Sequence, residues 1–144
     1  ENAEFMRYGV MHRNTFINSP TLLNRDFSMR EHKDIWFAGQ ITGVEGYMES
    51  AASGIIAGTA AARRILGLEP LCLPNDTMLG ALSAYISDPF NDGKFQPMGA
   101  NMGILPDIGV RIKDKKERYG AYARRAVESL EKELKRIGYD KSDR

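Results

Sequence analysis

Residues 34–67, DIWFAGQITGVEGYMESAASGIIAGTAAARRILG, constrain the fold more than any other stretch. Ile35, Trp36 and Phe37 make a continuous apolar run closed by Gly39. A run of that length predicts a short strand over 34–38, covered on both faces. Gly39, Gly43 and Gly46 then punctuate a loop, which gives its backbone freedom and allows close approach to whatever lies against it. A helix follows over about 45–66, with Gly67 as its C-terminal stop. Alanine and glycine dominate that helix, and Gly54 and Gly58 each cost about 1 kcal/mol relative to alanine in a helix interior. Close packing of another backbone is the expected compensation. A strand that turns through glycines into a helix start can hold an anion or a polar cofactor edge, because free N–H groups and the helix dipole point there. The pattern alone leaves a second reading open, an α/β unit that binds nothing. No two glycines in the chain stand two residues apart, so the G-x-G-x-x-G fingerprint is absent.

The 144 residues suffice for one domain with a real core, and the balance of 42% hydrophobic to 27% charged residues is that of a globular chain. No apolar run reaches the roughly 20 residues of a membrane span, and no signal-peptide pattern opens the sequence. A cytoplasmic protein without membrane contact is the expectation. Cys72 is the single cysteine, which excludes an internal disulfide and a cysteine-cluster metal site. With only His12 and His32 beside it, no metal is expected. Flanked by two leucines, Cys72 reads as a small buried hydrophobe and not as a nucleophile. The chain opens on Glu1 and not on methionine, and is expected to be a piece of something longer.

Either side of the 34–67 unit the signals are weaker. Residues 7–20, RYGVMHRNTFINSP, favour extended structure, with Asn18-Ser19-Pro20 as a turn. His12, Arg13 and Asn14 sit inside that run, facing a cleft or lying outward on an edge strand. Residues 21–33 and 68–74 read as connectors, with His32 at the surface. Asn75 or Asp76 is expected to cap a second helix over about 77–87, whose apolar face is Met78, Leu79, Leu82, Tyr85 and Ile86. Residues 89–110 are rich in Gly, Pro and Asn yet too apolar for a flexible linker, and predict an irregular ordered segment. A last helix over about 115–137 carries a stripe through Tyr122, Ala126, Leu130 and Leu134, and Gly138 ends it. These elements predict an α/β or α+β class, short strands plus three main helices. Net charge changes sign along the chain: residues 1–110 hold 8 Lys/Arg against 12 Asp/Glu, and residues 111–144 hold 12 against 7. Lys115, Lys116, Arg118, Arg124 and Arg125 are therefore candidate nucleic-acid contacts. A solvated helix laced with i,i+4 pairs is the preferred reading of the same residues.

Four motifs carry a resemblance: RYGVMHRNTFINSP, FAGQITGVEGYMESAASG, LGALSAYISDP and FQPMGANMGILP. In that order and spacing they resemble the C-terminal part of the bacterial folate- and FAD-dependent tRNA (uracil-5-)-methyltransferase family, grouped with the glucose-inhibited division proteins. The likeness spans residues 1–133, and a fainter one links the chain to a related tRNA-wobble-uridine flavoprotein. The resemblance implies the C-terminal fragment of an FAD-binding, Rossmann-like flavoprotein. It implies transfer of a one-carbon unit from methylenetetrahydrofolate to C5 of a T-loop uridine in tRNA, with FAD as redox cofactor and NAD(P)H as reductant. It places the flavin along Gly39, Gln40, Ile41, Thr42, Gly43, Glu45, Gly46 and Tyr47, and folate on His12 with Arg13 and Asn14. Residues 1–33 become a folate- and substrate-facing segment, 34–110 the C-terminal part of the FAD domain, and 111–144 a basic helix. The family's glycine fingerprint and its nucleophilic cysteines are absent, and Cys72 lies in neither cysteine motif. No catalytic residue is thus expected in this chain, which alone should be inactive without the N-terminal FAD-binding half. An alternative of a different class is a stand-alone RNA-binding or interaction module that uses the basic helix.

Overall fold

Four helices and three single 3-10 turns carry the chain in the computed structural model, which describes residues 15–139. The helices are α1 (Ser19–Leu22), α2 (Tyr47–Ile65), α3 (Met78–Ile86) and α4 (Lys115–Arg136), and the 3-10 turns are Gly39–Thr42, Pro89–Asn91 and Met102–Ile104. Helix ends follow local chemistry. At α2 the left-handed Gly67 lets Leu68 N–H reach Arg63 C=O at 2.8 Å and Gly67 N–H reach Arg64 C=O at 3.1 Å, closing the last turn. The α3 cap is Thr77, not Asn75 or Asp76: its backbone is extended and its hydroxyl accepts from Gly80 N–H at 3.0 Å. Gly80 is itself required, because a Cβ there would collide with the carbonyl of Pro74. Asp114 caps α4 by accepting from Glu117 N–H at 2.7 Å, and Gly138 ends it.

One core joins the first three helices. Leu23, Phe27, Val44, Ile56, Leu82, Ile86 and Phe95 are all buried within it. It draws on both sides of residue 33. The ring of Phe27 is inserted from a left-handed backbone, φ 63°, at the turn after Asn24. Such a conformation costs about 1–2 kcal/mol for a residue with a side chain, and burial of the ring offsets it. The Arg30 guanidinium donates at 2.7 Å to Ser87 C=O, at the C-terminal end of α3 where the dipole favours a cation.

The described residues are mostly helical, and extended pairing is confined to three isolated bridges: Leu23 with Met29, Ser28 with Trp36, and Val44 with Met98. The strand expected at 34–38 is a single bridged contact at Trp36, with Ile35 46% exposed. Apolarity alone does not make a strand; it needs a neighbour to receive its ladder, and among the described residues that segment has one pairing. Two further expectations change. Gly54 and Gly58 meet no atom within 4 Å of an added Cβ, so no backbone approaches them among the described residues. Cys72 is exposed rather than buried, and its N–H donates to the Glu133 carboxylate at 2.7 Å. His32 is at the surface as expected.

Candidate functional site

The glycine loop is built by its own backbone needs. Gly39, Gly43 and Gly46 have φ of 77°, 85° and 101°, a left-handed region that glycine enters without steric cost. Between the first two, the Thr42 hydroxyl donates to Gly39 C=O at 2.8 Å and closes the turn. Gly39 N–H donates to the Ser53 hydroxyl on α2 at 2.8 Å, and the buried Ser19 hydroxyl donates to Thr42 C=O at 2.8 Å. The loop is therefore fastened to α1 on one side and α2 on the other. A second segment lies beside it. Met98 N–H donates to Gly43 C=O at 3.0 Å, and Glu45 N–H to Met98 C=O at 3.0 Å. Phe95 packs its ring over Gly43 so closely that a Cβ there would collide with it. The motifs FAGQITGVEG and FQPMGAN, separated by some fifty residues, thus form one wall.

That geometry divides the eight residues expected along a cofactor. Thr42 and Gly43 are buried and committed to the loop's own structure, whereas Gln40, Ile41, Glu45, Gly46 and Tyr47 are exposed. Gly39 is partly buried behind them. Gly46 is the N-cap of α2 and supplies no side chain to its free N–H groups. The Glu49 carboxylate lies over Gly46, where an added Cβ would collide with it. A carboxylate in the first turn complements the helix dipole and repels a second anion. The edge suits a neutral hydrogen-bonding group better than a phosphate. Sequence reasoning missed Phe95, Met98 and Glu49 as parts of this wall. The one signal was that FQPMGAN is too apolar for a flexible loop, which calls for a surface beneath it without saying which. His12, Arg13 and Asn14 lie outside the described residues.

The five basic candidates on α4 do not share one surface. The Lys115 ammonium lies 5.5 Å and the Arg118 guanidinium 5.7 Å from the centre of the Tyr119 ring, bringing two cations to one aromatic. Lys116 and Arg124 are exposed. Arg125 is used internally, donating to Asp107 C=O at 2.8 Å and Pro106 C=O at 2.7 Å, and pairing with Asp76 at 3.5 Å. Further along α4, Glu133 accepts from Cys72 N–H and pairs with Arg136 at 2.8 Å. The hydrogen bond from Arg136 holds the Glu133 carboxyl below the usual carboxylate range; partial burial opposes it, and the Cys72 N–H and the charges of Arg136 and Arg63 add to it. No group of three or more His, Cys, Asp or Glu among the described residues could hold a metal ion. No helix among them is long and apolar enough to cross a membrane.

Comparison with known proteins gives the chain's relatives. Residues 1–69 match the family described as Glucose inhibited division protein A, and that span includes the whole glycine loop and all of α2. Over 131 residues, 91% of the chain, it is 56% identical to the methylenetetrahydrofolate–tRNA-(uracil-5-)-methyltransferase TrmFO of Bacillus pumilus. It is 54% identical to that of Staphylococcus epidermidis and 56% to that of Staphylococcus aureus, again over 131 residues. The chain spans about 30% of the length of these relatives. The chain is thus similar over residues 1–69 to the glucose inhibited division protein A family, and over 91% of its length to relatives named as tRNA methyltransferases.

Proposed function

We propose that this chain is the C-terminal part of an enzyme that transfers a one-carbon unit from methylenetetrahydrofolate to C5 of a T-loop uridine in tRNA, and that residues 39–47 form one wall of its FAD site. The observation that carries this reading is the exposed edge Gln40–Ile41 and Glu45–Tyr47, rigidly fastened beside an uncapped helix start, in a chain 56% identical to relatives named for that reaction. The residues fit a flavin on chemical grounds. Backbone N–H groups at the start of α2 can donate to the polar edge of a ring system, and Ile41 and Tyr47 offer apolar surface beside them. Glu49 disfavours a pyrophosphate at the same point, so the adenosine and phosphates belong on the half of the site that lies in the longer polypeptide. When bound, FAD would carry reducing equivalents from NAD(P)H to the transferred carbon. The apolar run at 34–38 then becomes an edge of a Rossmann-like α/β sheet whose other strands lie in that polypeptide. His12, with Arg13 and Asn14, would hold the folate.

The test is flavin retention by the full-length polypeptide. Gly46→Val places a β-branched side chain at φ 101° and displaces Glu49, while leaving the Phe95–Gly43 contact intact. We expect flavin affinity to weaken at least tenfold, a loss of about 1.4 kcal/mol or more in binding, so that the flavin absorbance of the purified protein falls while the far-ultraviolet dichroism is unchanged. Unaltered flavin content in a folded variant overturns the assignment. A second reading, RNA contact through α4, is favoured by the paired cations on Tyr119. Its measure is retardation of tRNA by the chain at low salt.

A further inference from the structure

Helix α2 has two apolar sides, and among the described residues only one is covered. Ser53, Ile56 and Ala57 face the core. On the opposite side Tyr47 is 93% exposed, Met48 80%, Ile55 71% and Ile65 82%. Gly54 and Gly58 lie between them with nothing within 4 Å of an added Cβ. At 100° per residue these positions fall on one stripe running the length of the helix, about 28 Å at 1.5 Å per residue. No charged side chain interrupts it: the nearby Arg63 donates to Ile137 C=O and Arg64 pairs with Asp34. A helix that is apolar all round belongs in an interior, and a contiguous apolar surface of this extent marks an interface. The two glycines cost helix stability and return nothing to the chain as described.

We infer that this stripe is the seam onto which the remainder of a longer polypeptide packs, with large branched side chains of that remainder seated over Gly54 and Gly58. The inference rests on the reading that the chain is part of such a polypeptide. Length argues for that occupant: 131 residues are 30% of the relatives, which leaves roughly 300 residues of theirs beyond the match. A second copy of this chain is a poorer occupant. One helical stripe supplies about nine residues a side, where stable association between separate chains uses about 20–30. A covalently continuous partner needs far less, because its effective concentration is set by the chain itself.

Thiol labelling of the full-length polypeptide tests this. With Cys72→Ser and labelling read site by site from peptide masses, Ala62→Cys places a thiol on the stripe, Ala51→Cys repeats it a few turns away, and Lys132→Cys on the exposed side of α4 serves as reference. A maleimide should modify the stripe positions about 100-fold more slowly than the reference in the native protein, and equally fast in denaturant. Equal rates in the native protein overturn the seam. Protection that is lost on dilution, with a doubled mass by light scattering, assigns the face to a second copy and also overturns it. So does protection in the monomeric 144-residue chain. Labelling needs no cofactor, so a protected thiol in a folded protein that holds no flavin leaves the seam standing while removing the cofactor assignment.

Discussion

Helices α2 and α4 have similar lengths, 19 and 22 residues, and meet the rest of the chain in opposite ways. Helix α2 is held by side chains inserted into the core, Ile56 and Ala57 among them, and by the Ser53 hydroxyl that receives Gly39 N–H. Helix α4 buries no residue among its 22. It is fastened by polar contacts to irregular segments: Arg125 to the carbonyls of Pro106 and Asp107, Ser129 to Asp76, Glu133 to Cys72, and Arg136 to Pro70. Their uncovered sides differ in the same sense. The stripe that α2 leaves bare opposite the core is uncharged and apolar, whereas α4 shows lysines, arginines and glutamates to water. The first surface calls for more protein. The second is at home in solvent.

The comparison can be broken most severely in the core. Leu82→Ala, at 2% exposure between α3 and its neighbours, should cost about 2–5 kcal/mol in urea unfolding. If Leu134→Ala on the half-covered side of α4 costs as much, the contrast between the two helices fails. Gly43→Ala comes next, at about 2–3 kcal/mol, from the left-handed strain at φ 85° together with the collision against Phe95. An unchanged midpoint would show that the wall between FAGQITGVEG and FQPMGAN is looser than its hydrogen bonds indicate.

Glu133→Gln sharpens the polar side of the contrast, at no more than about 1 kcal/mol near neutral pH. Its dependence on pH has a definite sign. The folded carboxyl titrates below its ordinary value, so its contribution is present above the unfolded pKa of about 4.3 and is lost as pH falls through the depressed value. The gap between parent and variant should hold from about pH 7 to 5 and close below about pH 4. A gap that persists in strong acid means the glutamine fails for a reason other than charge. Smallest of all for stability are Lys115→Gln, Lys116→Gln and Arg124→Gln combined, within about 0.5 kcal/mol because these side chains are exposed. Their effect should appear instead in tRNA retardation, where each lost phosphate contact lowers the salt slope by about 0.9. Retardation unaltered by the triple change would leave α4 a solvated helix and nothing more.

Much of this contrast was legible before any coordinates. Periodic apolar residues and terminal glycines placed α2, α3 and α4 to within two residues at each end, because capping and helix termination are decided within a turn of the chain. The three-residue reach of a cap also explains the error at α3: Asn75, Asp76 and Thr77 are all suitable types, and only backbone conformation selects Thr77. The glycine loop was visible as a loop, but its partner was not. Nothing near Gly43 announces that Phe95 will cover it or that Met98 will pair beside it. Likewise Arg125 looks the same in sequence as Arg124, yet one is spent on backbone carbonyls and the other faces water.

By itself the sequence determined the three long helices, their stops, the glycine-punctuated loop, the reversal of charge along the chain and the family that its motifs resemble. Those features depend on neighbours within a few residues, or on residue identity alone. Only the tertiary structure decided which glycines are tight and which are bare, that two distant motifs make one wall, that Glu49 occupies the start of α2, and that Cys72 lies at the surface on a bond to Glu133. Except for Glu49, which reaches back three residues to Gly46, these are contacts across tens of residues, and the chain's local preferences carry no record of which distant segment will arrive. The bare side of α2 is the clearest case: its residues read as interior, and the described fold leaves them without a cover.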